Sequence, residues 1–125
     1  MEEHDIPIYE PHEGTLKISG QTPARKAAKC AFHNYTEGKT PLEFFFIGAN
    51  AGQQAMKATG IFRHILERET CHVFTVLYQP RRVRVKLKDS RLIEGALWVA
   101  YVVERFKNTE PVKNIKTSSD LEFNL

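Results

Sequence analysis

Cysteine is scarce in this chain of 125 residues: Cys30 and Cys71 stand singly, with no CxxC pair and no density of a disulfide framework. A cysteine-based metal site and a disulfide-stapled scaffold are therefore excluded, and a reducing, cytoplasmic setting is the expectation. Long apolar runs are missing too. ALWVAYVV (96–103) is far shorter than the ~20 residues of a membrane-spanning helix, so no membrane partner is expected. The first residues lack a basic stretch followed by an apolar one, which argues against secretion. No internal repeat or low-complexity tract is visible.

Catalytic signatures are equally sparse. His4, His12, His33, His64 and His72 form no HExxH and no pair at i, i+4, so each reads as a structural or surface histidine and no metal is expected. There is no GxSxG, and the glycine-rich GANAG lacks the Lys-Ser/Thr of a phosphate-binding loop. Glu67 and Glu69 close a helix on different faces, in solvent. Nothing assembles a nucleophile, a base and an orienting group. The expectation is a protein with no catalytic residue and no cofactor.

What is present is an ordinary globular composition, 42% hydrophobic and 26% charged, in a chain long enough for one domain. Its charge is unevenly placed. Residues 1–14 hold five acids and no Lys or Arg, while 15–107 hold 16 Lys and Arg against 7 Asp and Glu. A basic body beside an acidic end points to a polyanionic partner. The reading divides the chain into an acidic N-terminal tail (1–14), a folded domain (15–106) and a polar C-terminal tail (107–125). Two readings are open for the acidic segment: it folds over the basic surface and masks it, or it is disordered.

Periodicity predicts the elements. TLKIS (15–19) is a short strand, followed by GQTP with Thr22 as N-cap and Pro23 at the first helical position. A helix then runs from Ala24 to about Gly38, burying Ala27, Ala28, Ala31, Phe32 and Tyr35. PLEFFFIG (41–48) is a central strand. GANAG (48–52) turns into a second helix, QQAMKATGIFRHILERE, whose Gly60 suggests close helix packing. CHVFTVLY (71–78) alternates as a strand and VRVKL continues it after Pro80. KDSR reverses the chain, and LIEGALWVAYVVERF (92–106) returns. The order is β-α-β-α-β-β, an α+β plan ending in a long basic hairpin.

Two stretches carry candidate chemistry. In RRVRVKLKD (81–89) Arg82, Arg84, Lys86 and Lys88 alternate with Val83, Val85 and Leu87. A strand puts those cations on one face and the apolar residues on the other. With Arg81 and Arg91 the stretch holds six cations against Asp89 alone, more than protection of a sheet edge requires. Such a ribbon suits the phosphate backbone of a nucleic acid. Tyr78 and Trp98 are the aromatics nearest to it, weak support for stacking on single strands. In IGANAGQQA a strand, a glycine turn and a helix start offer free amides, with Asn50, Gln53, Gln54 and Lys57 nearby. The same glycines, Gly48 and Gly52, also permit no more than a tight turn with close strand–helix packing.

Residues 16–68 also carry a resemblance. LKISGQTPARKAAKCAFHNYTEG, LEFFFIGANAGQQAMKATGIFRHILER and the QAxKA that opens the second helix resemble the stage V sporulation protein S family of Alba-like proteins. The resemblance extends over about 15–106. It implies an Alba-like β-α-β-α-β-β sandwich that acts as a homodimer or higher oligomer and binds DNA or RNA without catalysis. Archaeal Alba carries paired lysines in its first turn; Gln21 and Thr22 stand at the matching positions, which weakens that contact or shifts it to Arg25 and Lys26. The expected nucleic-acid contacts are thus Arg25, Lys26, Asn50, Gln53, Lys57, Arg81, Arg82, Arg84, Lys86, Lys88 and Arg91. Two other readings stay open: a protein-interaction or regulatory module with a protein partner, and a small anionic ligand such as a nucleotide at Gly48–Gly52.

Overall fold

The computed structural model describes residues 5–107, so residues 1–4 and nearly all of the expected C-terminal tail lie outside the described residues. The order is β1 (Thr15–Ile18), α1 (Ala24–Thr36), β2 (Leu42–Phe46), α2 (Ala49–Thr70), β3 (His72–Lys86) and β4 (Leu92–Lys107). These form an α+β domain with one four-stranded mixed sheet, in the order β1-β2-β4-β3. β1 and β2 are parallel, while β4 runs antiparallel to both β2 and β3.

Alternation decides what each face buries. Leu16, Ile18, Leu42, Phe44, Phe46, Phe74 and Ala100 turn to the helices, where Ala28, Ala31, Ala55, Ala58, Phe62 and Leu66 meet them. Small residues on α1 and α2 let both helices sit close over the aromatic floor. The opposite face carries a second buried cluster of Phe45, Val83, Val85, Leu97 and Val99. Gly95 makes room for it, since a Cβ there would stand 2.8 Å from the Phe45 ring. Among the described residues no helix is long and apolar enough to cross a membrane.

Several local expectations need correction. Thr22 does not cap α1. Its hydroxyl accepts the Ser19 N–H at 2.9 Å, and Pro23, in extended backbone, occupies the cap position. Tyr35 is exposed rather than buried. α2 begins at Ala49, not Gln53, so Gly48 (φ 87°) is the turn and Gly52 belongs to the first turn of the helix. Gly60 packs against nothing: a Cβ there would meet no atom within 4 Å. Glu67 is half-buried, where its carboxylate accepts the Phe74 N–H at 3.2 Å and lies 3.4 Å from Arg63. β3 runs unbroken through Pro80. The Arg84 N–H points away from β4, to the Pro7 carbonyl, and Pro80 shares its parity. The N–H that proline lacks would therefore face outward, where no ladder bond is lost.

The acidic segment, as far as it is described, is docked. Ile6 is buried, and the chain pairs with the outer edge of β3 through a bridge between Ile8 and Arg84. Tyr9 then lays its ring on Phe45, centroids 5.7 Å apart, against the second cluster. Its hydroxyl donates to the buried carboxylate of Glu43. His12 Nε2 lies 2.6 Å from the same carboxylate, and Thr15 Oγ1 donates to it at 3.1 Å. His12 Nδ1 accepts the Gly14 N–H at 3.0 Å, which leaves the ring proton on Nε2, facing Glu43. Burial and the Glu43 hydrogen bond both push the Tyr9 phenol upward in pKa.

Candidate nucleic-acid interface

One end of the molecule gathers most of the predicted contacts, and topology is the reason. β1 and β2 are parallel, so both lead into their helices at the same end of the sheet. Gly20 and Asn50 approach there closely enough that a Cβ on Gly20 would stand 3.0 Å from Asn50 Cβ. Gln54 Nε2 donates to the Thr22 carbonyl at 2.8 Å and ties the two turns together. β4 is antiparallel, so the β3–β4 turn also lies at that end. Four residue pairs, from Val83↔Gly95 to Lys86↔Leu92, extend past the last β2–β4 pair, Phe46↔Ala96. At ~3.3 Å per residue that is a projection of about 13 Å.

Arg25 and Lys26 are exposed in the first turn of α1, and Asn50 and Gln53 in that of α2. Lys57 shares their stripe but lies two turns along the helix, away from the end. Neither helix has an acid in its first turn or a side-chain cap. Both positive helix ends therefore add to the potential of the lysines and arginines. Lys29, one turn beyond Arg25 on the exposed face of α1, belongs with this group. Its i, i+4 spacing from Arg25 was the signal that sequence reading passed over.

The cations of RRVRVKLKD are not equivalent. Arg82, Arg84 and Lys86 do share the helix side of β3, with Val83 and Val85 buried beneath. Lys88 belongs instead to the turn, which closes through Leu87 N–H to Arg91 O at 2.8 Å with Ser90 at φ 71°. Arg81 sits on the other face and donates to Gln79 Oε1 at 2.7 Å. Arg82 holds Glu94 through two hydrogen bonds of 2.8 and 2.7 Å. That contact keeps the Glu94 carboxyl below its usual pKa and raises the guanidinium. Arg84 Nε donates to the Ile6 carbonyl at 2.8 Å, and Arg91 Nε to Asp89 at 2.6 Å. The Lys86 and Lys88 side chains are exposed and make no ion pair or hydrogen bond among the described residues.

Among the described residues, Tyr78 and Trp98 give no open stacking platform near the ribbon. Trp98 packs edge-on to Phe46 at 4.9 Å, and Tyr78 lies edge-on to Phe44 at 5.8 Å, both on the helix side. Among the described residues the Tyr78 hydroxyl is buried without a hydrogen-bond partner, and its pKa is pushed up by that burial.

The glycine turn is also narrower than its spelling suggests. Gly48 supplies the positive φ, and the Gly52 N–H is already bonded to the Gly48 carbonyl at 3.0 Å. Gly52 faces the Phe46 ring, which a Cβ would approach to 3.1 Å. Its absent side chain serves helix-to-strand packing.

No protein-family model matches this chain, and no curated protein matches its sequence.

Proposed function

We propose that the chain is an Alba-like, non-catalytic nucleic-acid-binding protein that acts as a homodimer and grips the phosphate backbone largely without reading base sequence. The observation that carries this reading is the convergence at one end of the molecule. Two uncapped helix N-termini, Arg25 and Lys26, and the projecting β3–β4 turn with Lys86 and Lys88 lie there together. The nearby acids Glu94 and Asp89 are each engaged by an arginine of the same turn region. A positive end of this kind attracts polyanions and is screened by salt.

Arg82 and Arg84 present their guanidinium groups beside Lys86, so the ribbon supplies a row of donors to phosphate oxygens. Asn50 and Gln53 add neutral polar contacts at the start of α2. An apolar patch supports the dimer: Leu77, Tyr101 and Val103 are 56%, 47% and 46% exposed on the sheet face away from the helices. A cytoplasmic setting, at the nucleoid if the partner is DNA, follows from this reading.

The test is binding to generic duplex DNA, duplex RNA and single strands, measured side by side at several salt concentrations. The expected result is binding that weakens steeply with salt and changes little between unrelated sequences of one class. A protein-interaction module would show no binding to any of the three at low salt.

A further inference from the structure

At the opposite edge of the sheet from the basic ribbon, β1 pairs with β2 alone among the described residues. The Glu43 N–H donates to the Gly14 carbonyl at 3.0 Å. Alternate residues of a strand turn their backbone groups to the same side, so Gly14, Leu16 and Ile18 face β2 while Thr15, Lys17 and Ser19 face outward. The two ends of this edge are used by the chain itself. The Thr15 N–H donates to the His12 carbonyl at 3.1 Å, and the Ser19 N–H to Thr22 Oγ1 at 2.9 Å. Lys17 keeps both its N–H and its carbonyl turned outward.

A cavity flanks this residue on each side of the sheet. On the helix side, one of about 360 Å³ lies between β1 and α1, floored by Leu16, Ile18 and Ala27 with Lys26 at its rim. On the other side, one of about 270 Å³ lies over Phe45 and Ile47. Lys17 borders both, and no acid lines either. A strand laid along Lys17 would send successive side chains to opposite faces, one into each cavity.

We infer that the β1 edge docks an extended acidic peptide segment of another protein by strand addition. Two main-chain hydrogen bonds to Lys17 hold it, apolar side chains at adjacent positions fill the two cavities, and flanking carboxylates meet Lys17 and Lys26. A second copy of this chain fits poorly. In either symmetric antiparallel register Lys17 would meet the copy's Lys17 directly or on the diagonal, where like charges repel. A nucleic-acid strand has no peptide backbone to pair with Lys17 at strand spacing and no apolar side chains alternating to the two faces. The inference does not depend on the function proposed for the basic end.

The probe is a fluorescein-labelled nine-residue peptide, Glu-Glu-Thr-Val-Ile-Val-Thr-Glu-Glu, titrated with the full chain and followed by anisotropy. Two control peptides accompany it: one N-methylated at the central Ile, which removes the donor, and one with Lys in place of every Glu. Lys17→Pro removes the outward N–H without touching the bonds to β2, since proline is tolerated on an edge. The acidic peptide is expected to bind the native chain. Both controls on the native chain, and the acidic peptide on Lys17→Pro, are expected to bind at least about tenfold more weakly. Lys17→Gln, which keeps the main-chain pair, is expected to lose only about threefold. The N-methyl control leaves the protein unaltered, so the inference stays testable even if Lys17→Pro unfolds. No binding of the acidic peptide at about 1 mM protein would overturn the inference. So would equal affinity for the N-methylated or lysine-ended peptide. A dimer mass that falls on Lys17→Pro would assign the edge to self-association instead.

Discussion

Arg82 and Glu94 show how a single contact sets what a cation at the hairpin has to offer. The pair is exposed, so it adds little to stability, but its two hydrogen bonds fix the guanidinium plane against Glu94. Because Arg82 holds the Glu94 carboxyl below its usual pKa, whatever the pair contributes is present above the unfolded pKa of that glutamate. It fades as pH falls through the lower folded value. Arg82→Gln is expected to move the Glu94 midpoint upward in an NMR titration, with the fold intact. An unchanged midpoint would mean that the two groups do not pair in solution. This partnership was not legible in the sequence. The residues are twelve apart, and only the register Arg84↔Glu94 and Arg82↔Ala96 brings them diagonally together.

Among the elements, α2 carries the sharpest contrast, because the glycine that caps it and the two within it do three different things. Gly48 has a backbone that L residues rarely adopt, Gly52 lies against the Phe46 ring, and Gly60 faces open space in mid-helix. Gly60→Ala is expected to stabilise the protein by about 1 kcal/mol in denaturant unfolding, from helix propensity alone. Gly52→Ala is expected to gain less than that or to destabilise, since Phe46 has to give way. Gly48→Ala is expected to cost about 1–3 kcal/mol. A loss of stability from Gly60→Ala would contradict the open surroundings described for it. Glycine alone does not say which of these roles it fills: the sequence suggests packing at Gly60, where the structure leaves open space, and at Gly52 it allows close strand–helix packing beside a phosphate-holding turn, of which the packing is found. The strands were more legible: LEFFF, RVRVK and LIEGALWVAYVV alternate or run apolar in a way that only a sheet satisfies. The docking of residues 5–14 was hidden, because it depends on a bridge to Arg84 and on a carboxylate, Glu43, that looks like a surface residue until Tyr9, His12 and Thr15 surround it.

The whole molecule is polarised: a positive end built from loops and hairpin, an acidic segment along the outer edge of β3, and an apolar patch on the open sheet face. Leu77 stands opposite Tyr101 and Thr75 opposite Val103, so Leu77, Tyr101 and Val103 form one block on this face. Such a block is costly in water and fits an interface between copies. Light scattering at tens of micromolar is expected to give a dimer mass, and Leu77→Glu with Tyr101→Ser to give a monomer that keeps its fold. A native chain that is monomeric at that concentration would remove self-association from the account.

The most direct test of nucleic-acid binding uses the two lysines that have no other task. Lys86 and Lys88 make no contact among the described residues that their loss would break, so Lys86→Ser with Lys88→Ser should leave stability unchanged. If each neutralises a phosphate, it releases counterions, and log affinity for duplex DNA falls linearly with log salt at about −0.9 per contact. The double variant is then expected to flatten that slope by about 1.8 and to weaken binding alike for unrelated sequences, because phosphate contacts carry no base information. A folded double variant with the native slope, or a native chain that binds no duplex at low salt, would contradict the account.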